Sequence, residues 1–304
     1  MAEEDTALNG RIRRLWEYLK FGIDFFILRK RRPYILGLVT NDTCNLDCLH
    51  CRVANIDRVN MSYVQIEEIL KRYYRKRCRF LYLEGGEPYL WHDGPYRLKD
   101  VVTLARKIGY LQVHIYTNGT FPLDADPDFT FVSIDGLART YEKIRGIPIG
   151  RVLANLRGFK QKYAIIFVVN TVNYHEIRPF LAFVRNELPR TRVMFYFHTP
   201  YYGVDNLLLS KAQKREAIET ILRCKKEGLP VLNSATGLRA ILSGNYEHPS
   251  DLWWVVDHTG EYQCCRAFGQ KEVCEACGYS SCAEIVLARA YSFDAIKGML
   301  WYFR

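Results

Sequence analysis

Cys44, Cys48 and Cys51 follow one another as C-x3-C-x2-C, close enough for one loop to gather three thiols. Thiolates bind soft metals, and an iron–sulfur cluster usually takes four of them. Three therefore leave one iron open to a small molecule. A second stretch with chemical potential is Gly85-Gly86-Glu87-Pro88. Adjacent glycines let the backbone approach a ligand closely, and an ionised carboxylate accepts hydrogen bonds from an ammonium group. A third lies near the C-terminus, where Cys264 and Cys265 follow Gly260 and are succeeded by Cys274-x2-Cys277-x4-Cys282. Closely spaced thiols of this kind serve either an iron–sulfur cluster or a structural zinc. Cys78 and Cys224 sit in apolar contexts that suit inert core residues.

The elements that position these residues are legible from periodicity. An extended apolar run, Tyr34 to Thr40, delivers the first three cysteines at its C-terminal end. Ser62 and Gln65 form a capping box, opening a helix with Ile66, Ile69, Leu70, Tyr73 and Tyr74 on one face. A second strand, Phe80 to Leu83, ends at Glu84 and the paired glycines, and a helix over Leu98 to Ile108 follows. Strands over Val113–Tyr116 and Phe129–Ile134 end in Thr117-Asn118-Gly119 and Asp135-Gly136. Two more, Ala164–Val169 and Val193–Phe197, flank a helix bearing Ile177, Phe180, Leu181, Val184 and Leu188. A last helix starts at the Ser210/Gln213 capping box and stops near Gly228. Six strands alternating with helices predict an α/β fold, a partial (β/α)6 barrel of TIM type with its working loops at the strand C-termini. Asn170 and His198, at the ends of the fifth and sixth strands, are further candidates to point inward. His198 is the candidate for proton transfer or substrate binding, against the reading of a packed imidazole.

The cysteine triad followed by Gly85 to Pro88 one β/α unit later resembles the radical S-adenosylmethionine (SAM) superfamily over about Tyr34 to Gly228. The resemblance implies that Cys44, Cys48 and Cys51 hold a [4Fe–4S] cluster whose fourth iron is chelated by SAM. It also implies that Gly85, Gly86, Glu87 and Pro88 contact the amino group of SAM, and that Asn118, Ser133 and Asp135 face SAM and substrate, the last two as partners of ribose hydroxyls. The implied chemistry is reductive cleavage of SAM to methionine and a 5′-deoxyadenosyl radical. An electron donor such as a ferredoxin or flavodoxin is then required. The C-terminal cysteines resemble, in part, the SPASM and twitch extensions that hold auxiliary iron–sulfur clusters. Cys265, Cys274, Cys277 and Cys282 are the preferred four ligands of one auxiliary [4Fe–4S] cluster, with Cys264 an alternative and a zinc knuckle the rival.

Composition agrees with a globular protein: among 304 residues, 49% are apolar and 25% charged. The formal charge of +10 favours anionic partners, which include phosphorylated substrates, nucleic acid and membrane surfaces. Ten cysteines and a start, Met-Ala-Glu-Glu-Asp-Thr, without a signal-peptide pattern lead to the expectation of a reducing cytoplasm. The segment Arg11 to Arg32 is basic and interrupted by Glu17, Lys20 and Asp24, which excludes a membrane span. Two readings remain for it: a helix packed on the domain and closed by Pro33, or a helix lying in a membrane interface. The expected plan is residues 1–33 as a basic amphipathic segment, 34–228 as the barrel and 229–304 as a cysteine-rich module. The substrate stays open among a peptide, a cofactor precursor and a lipid like that of hopanoid-adenosylating relatives. A non-enzymatic zinc-binding nucleic-acid module is the alternative from another class.

Overall fold

The computed structural model describes residues 2–201, 203 and 205–302, with residues 2–11 and 302 as backbone only. The chain opens with α1 (Ala2–Gly22), which passes into a single π-helical turn, Ile23–Ile27. The regular units are then β1 (Ile35–Val39), α2 (Tyr63–Arg75), β2 (Phe80–Glu84), the short hairpin β3 (His92–Asp93) and β4 (Tyr96–Arg97), α3 (Leu98–Ile108) and β5 (Gln112–Thr117). They continue with β6 (Phe129–Ser133), α4 (Ala138–Arg145), α5 (Gly150–Arg157), β7 (Tyr163–Val169), α6 (Ile177–Glu187), β8 (Val193–Phe197) and α7 (Lys211–Lys226). After these come α8 (Ala235–Ser243), β9 (Trp253–Asp257), β10 (Gly260–Gln263), α9 (Lys271–Glu275), α10 (Ser280–Arg289) and α11 (Phe293–Tyr302). The six expected strands are present, and both capping boxes form, Ser62 with Gln65 and Ser210 with Gln213.

One sheet runs β10-β9-β1-β2-β5-β6-β7-β8, parallel throughout except for β10. The six strands from β1 to β8 form the partial barrel, so every strand-to-helix loop emerges at one end. Their outer faces pack on helices. Leu36, Leu81 and Val113 meet Ile66 and Leu70 of α2 and Val101 of α3, while Phe167 and Phe195 meet Phe180 of α6 and Ile218 of α7. The inner face carries Phe129, Phe131, Ile166, Met194 and Tyr196. Cys78 and Cys224 are fully buried, as expected of inert core thiols.

Two features lay outside the sequence expectation. The N-terminal helix ends at Leu28, before Pro33 is reached. The π turn tucks Phe25 against Phe21 and Tyr34, and Asp24 then draws the chain back through Lys30 (2.7 Å) and Arg32 (2.5 Å). The helix lies over the N-terminal ends of the strands, with Phe21 edge-on to Phe80 and Arg14 donating to the Leu111 carbonyl at 2.7 Å. At the other end of the chain, β9 pairs with β1 in parallel, Ile35 opposite Trp253 and Leu38 opposite Val256. Residues beyond Gly228 thus share the barrel's own sheet.

Candidate active site

The loop after β1 is held by side chains that fold it back on itself. Asp42, buried at its base, accepts from the backbone N–H groups of Asp57 (2.7 Å), Arg58 (3.0 Å) and Val59 (2.6 Å). Asn55 accepts from the Cys44 N–H at 2.8 Å, and Leu49 N–H donates to the Ile144 carbonyl at 2.8 Å. The loop therefore sets Cys44, Cys48 and Cys51 around one cavity of about 510 Å³ at the C-terminal mouth of the barrel.

Donors point at the sulfurs. The Leu46 N–H lies 3.4 Å and the Asn118 amide 3.8 Å from Cys44 Sγ, and Arg145 Nη1 lies 3.7 Å from Cys48 Sγ. Burial pushes the Cys48 thiol up to about 11, and the Arg145 guanidinium pulls it back. Among the described residues no three Cys, His, Asp or Glu side chains converge on a single-ion site. A polynuclear cluster spreads its irons so that each thiolate takes its own. Three thiols on one wall, with N–H donors trained on the Cys44 and Cys48 sulfurs, fit that footprint.

Gly85 and Gly86 line the cavity, but what their missing side chains admit is protein. A Cβ on Gly85 would lie 2.4 Å from the Asn41 carbonyl oxygen, and one on Gly86 would lie 2.3 Å from that of Thr43. The paired glycines let the loop after β2 press against the strand end that carries the triad. Glu87 and Pro88 also meet protein. The Glu87 side chain is fully buried and already accepts from Thr117 Oγ1 (2.7 Å), the Asn118 N–H (2.7 Å) and the Tyr89 N–H (3.1 Å). Burial raises its carboxyl to about 7 even so. Pro88, itself buried, begins the 3-10 turn Pro88–Leu90 behind it. Glu87 thus joins the loops after β2 and β5.

Asn118 lines the cavity and donates to Asn45 Oδ1 at 2.9 Å, which ties the β5 loop to the cysteine loop. Ser133 also lines it. Asp135 does not. Its carboxylate is wholly buried, takes Arg145 Nε at 2.6 Å and the Val168 N–H at 2.7 Å, and serves the join between β6, α4 and β7. Asn170 is likewise spent on its own turn, accepting from the Val172 N–H at 2.9 Å. His198 lines the cavity with its Nε2 at 3.0 Å from both Asp205 oxygens.

Sequence reasoning missed His50 and Arg145 on this cavity wall. His50 sits between Cys48 and Cys51, where a strongly desolvated imidazole is held down to about 4. Its place inside the triad was the available signal. Arg145 ends a helix that periodicity did not single out, and nothing local marked it.

A second cavity of about 250 Å³ is lined by Cys264, Cys265, Cys274, Cys277 and Cys282 together with His248. Cys264 contacts Cys265, Cys282 and His248, and Cys277 contacts Cys282 and Tyr246. All five thiols thus face one space. Cys264 is as central as the preferred four.

Residues 38–184 match the family model of the radical SAM superfamily. That stretch is a radical SAM domain. Members of the superfamily are enzymes that use a [4Fe–4S] cluster and SAM, which displaces the non-enzymatic nucleic-acid module as a reading. Among solved structures, Streptococcus suis SuiB bound to its precursor peptide SuiA is similar at 14% identity and TM-score 0.64, covering 83% of this chain and 63% of that one. The chain therefore spans less than two thirds of SuiB. Native anSMEcpe with bound AdoMet and a Kp18Cys peptide is similar at 15% identity and TM-score 0.59, covering 90% and 84%. Methylornithine synthase (PylB) is similar at 15% identity and TM-score 0.52, covering 82% and 80%. At these identities the likeness is one of fold. No curated protein matches the chain. Among the described residues no helix is long and apolar enough to cross a membrane.

Proposed function

We propose that this radical SAM enzyme reductively cleaves SAM at the mouth of its barrel and acts on a peptide. The observation that carries the first part is the cavity ringed by Cys44, Cys48 and Cys51, in which the Cys44 and Cys48 sulfurs receive N–H donors and no fourth thiol is among the lining residues. Cys44, Cys48 and Cys51 would hold a [4Fe–4S] cluster there, which would supply one electron for reductive cleavage of SAM to methionine and a 5′-deoxyadenosyl radical. The protein's own contribution is placement. The Asp42 turn fixes the cysteine loop, Glu87 locks the neighbouring loops, and Ser133 and Asn118 line the same cavity. The radical needs a partner held close and water kept out, and the aromatic inner wall of Tyr116 and Tyr196 favours both. Support for a peptide comes from SuiB and anSMEcpe, both solved with peptides bound.

In the same reading Cys265, Cys274, Cys277 and Cys282, or Cys264 in place of one of them, hold an auxiliary [4Fe–4S] cluster, and residues 229–304 act as a SPASM-like module. An external reductant of the ferredoxin or flavodoxin type supplies the electron. The helix segment before Pro33 contacts an anionic membrane surface through Leu15 and Trp16, which are 71% and 56% exposed. The test of the central claim is anaerobic incubation of reconstituted protein with SAM and dithionite, reading 5′-deoxyadenosine and methionine. The Cys44/Cys48/Cys51→Ala variant should form neither product. Undiminished cleavage by that variant would overturn the assignment of the triad.

A further inference from the structure

Glu84 closes β2, one residue before Gly85, and lines both the triad cavity and the cavity of the C-terminal cysteines. Its backbone carbonyl is used by the Thr40 N–H, but its carboxylate makes no hydrogen bond or ion pair among the described residues. Arg266, the cation whose field reaches it, is held by Asp257 at 2.6 Å. The surroundings are aromatic. Tyr82 stacks on Trp253 at 5.1 Å, Tyr116 lies 5.5 Å from Tyr82, and the Tyr116 and Tyr196 hydroxyls are 3.1 Å apart. Burial pushes the Glu84 carboxyl above its ordinary range.

The neighbouring strand makes room for this group. A Cβ on Gly37 of β1 would lie 2.7 Å from Glu84 Oε1 and 3.6 Å from Trp253 Nε1. A strand otherwise built of large buried residues thus lacks a side chain at the place the carboxylate occupies. A carboxylate without a partner inside an aromatic wall carries a desolvation cost that an organic cation would offset, through charge and through the ring faces.

We propose that Glu84 anchors an organic cation of the substrate, such as a lysine side chain, between the triad and the C-terminal cysteines. This rests on the reading of the triad cavity as the SAM site. The ammonium of SAM is the other source of such a cation. Gly85 and Gly86, beside the triad, lie against Asn41 and Thr43, whereas the Glu84 carboxylate lies over Gly37 beside Trp253, toward the second cavity. That placement favours the substrate.

The test uses full-length, cluster-loaded protein saturated with SAM and two probes, N-acetyl-lysine methylamide and its neutral counterpart N-acetyl-norleucine methylamide, followed by ligand-observed NMR. Wild-type protein should prefer the lysine probe by about ten-fold, which corresponds to about 1.4 kcal/mol. Glu84→Gln should erase the preference and leave the SAM dissociation constant in place, and Glu84→Asp, which keeps the charge, should retain part of it. Equal binding of the two probes to the wild type overturns the proposal. So does a Glu84→Gln variant that keeps the lysine preference and loses SAM affinity, which would assign the carboxylate to SAM. Failure of the wild type to cleave SAM would strike the proposed function instead, because probe binding is read without turnover.

Discussion

Replacing Asp135 by asparagine should cost stability before it costs SAM binding. The carboxylate is fully buried, its partner Arg145 is nearly so, and the two meet at 2.6 Å while the other oxygen takes the Val168 N–H. An amide at this place leaves a buried guanidinium without its counter-charge and turns one acceptor into a donor. Breaking a buried pair by removing one partner costs about 3–5 kcal/mol. At roughly 2–4 °C per kcal/mol for a chain of more than 150 residues, the melting temperature should fall by at least about 6 °C. The assay is thermal unfolding of cluster-loaded protein under anaerobic conditions, beside SAM titration. Asp135→Asn with Arg145→Met should recover much of the stability loss, since an apolar side chain of similar length no longer needs a partner, although the Cys48 sulfur loses its Arg145 donor, and the double-mutant cycle should show coupling above about 2 kcal/mol. A variant whose melting point stays within about 1 °C while SAM binding weakens would refute this reasoning and return Asp135 to the ribose-binding role.

Ser133→Ala should show the opposite pattern, weaker SAM binding with an unchanged melting point, because Ser133 lines the cavity while Asp135 does not; isothermal titration and unfolding together decide it. Gly86→Ala places a Cβ 2.3 Å from the Thr43 carbonyl oxygen, so overpacking of about 1–3 kcal/mol should displace the triad loop and lower iron content per chain, measured by iron assay. Gly278→Ala meets the Phe197 carbonyl oxygen at 1.9 Å and should loosen the C-terminal segment, read as faster proteolysis beyond residue 260 with the barrel intact. Leu15→Asp with Trp16→Asp should lower co-sedimentation with phosphatidylserine vesicles by more than about ten-fold, given roughly 1.5–3 kcal/mol for each apolar side chain buried; equal sedimentation of variant and wild type would remove the membrane contact.

The barrel was legible because its elements repeat a simple pattern. Apolar runs mark β1, β2, β5, β6, β7 and β8, and capping boxes mark the starts of α2 and α7. The triad was legible because its ligands are adjacent in sequence. Glu87, Asp135 and Glu84 were harder, since a carboxylate at a strand end looks the same in sequence whether it faces ligand or protein. One local donor and two from the loop after β5 hold Glu87, a helix residue ten positions away holds Asp135, and for Glu84 it is a glycine on the neighbouring strand. The strands β9 and β10 escaped because Trp253 to Gln263 carries Asp257, His258 and Glu261 within a short hairpin, and its place beside β1 is set by long-range pairing.

That pairing explains why the C-terminal cysteines matter to the barrel. Six strands leave the sheet open between β8 and β1. From the β1 side, β9 and β10 extend the sheet, and the Cys264 N–H donates to the Trp253 carbonyl at 2.7 Å. On the β8 side, the Phe197 N–H donates to the Gly278 carbonyl at 2.8 Å, and the Gly278 N–H donates to Thr199 Oγ1 at 2.9 Å. Ser280 Oγ reaches the Phe195 carbonyl at 2.6 Å, and the Tyr196 hydroxyl reaches Ser281 Oγ at 3.0 Å. The segment from Cys264 to Ser281 therefore bridges the two sides of the opening, and its cysteines form the fourth wall of the space that Glu84, Tyr116 and Tyr196 line from within. A metal centre held there would be tied by hydrogen bonds to the strands that place the triad. Its distance from the triad cavity would then be fixed by the sheet, and a substrate held at Glu84 would lie between the two.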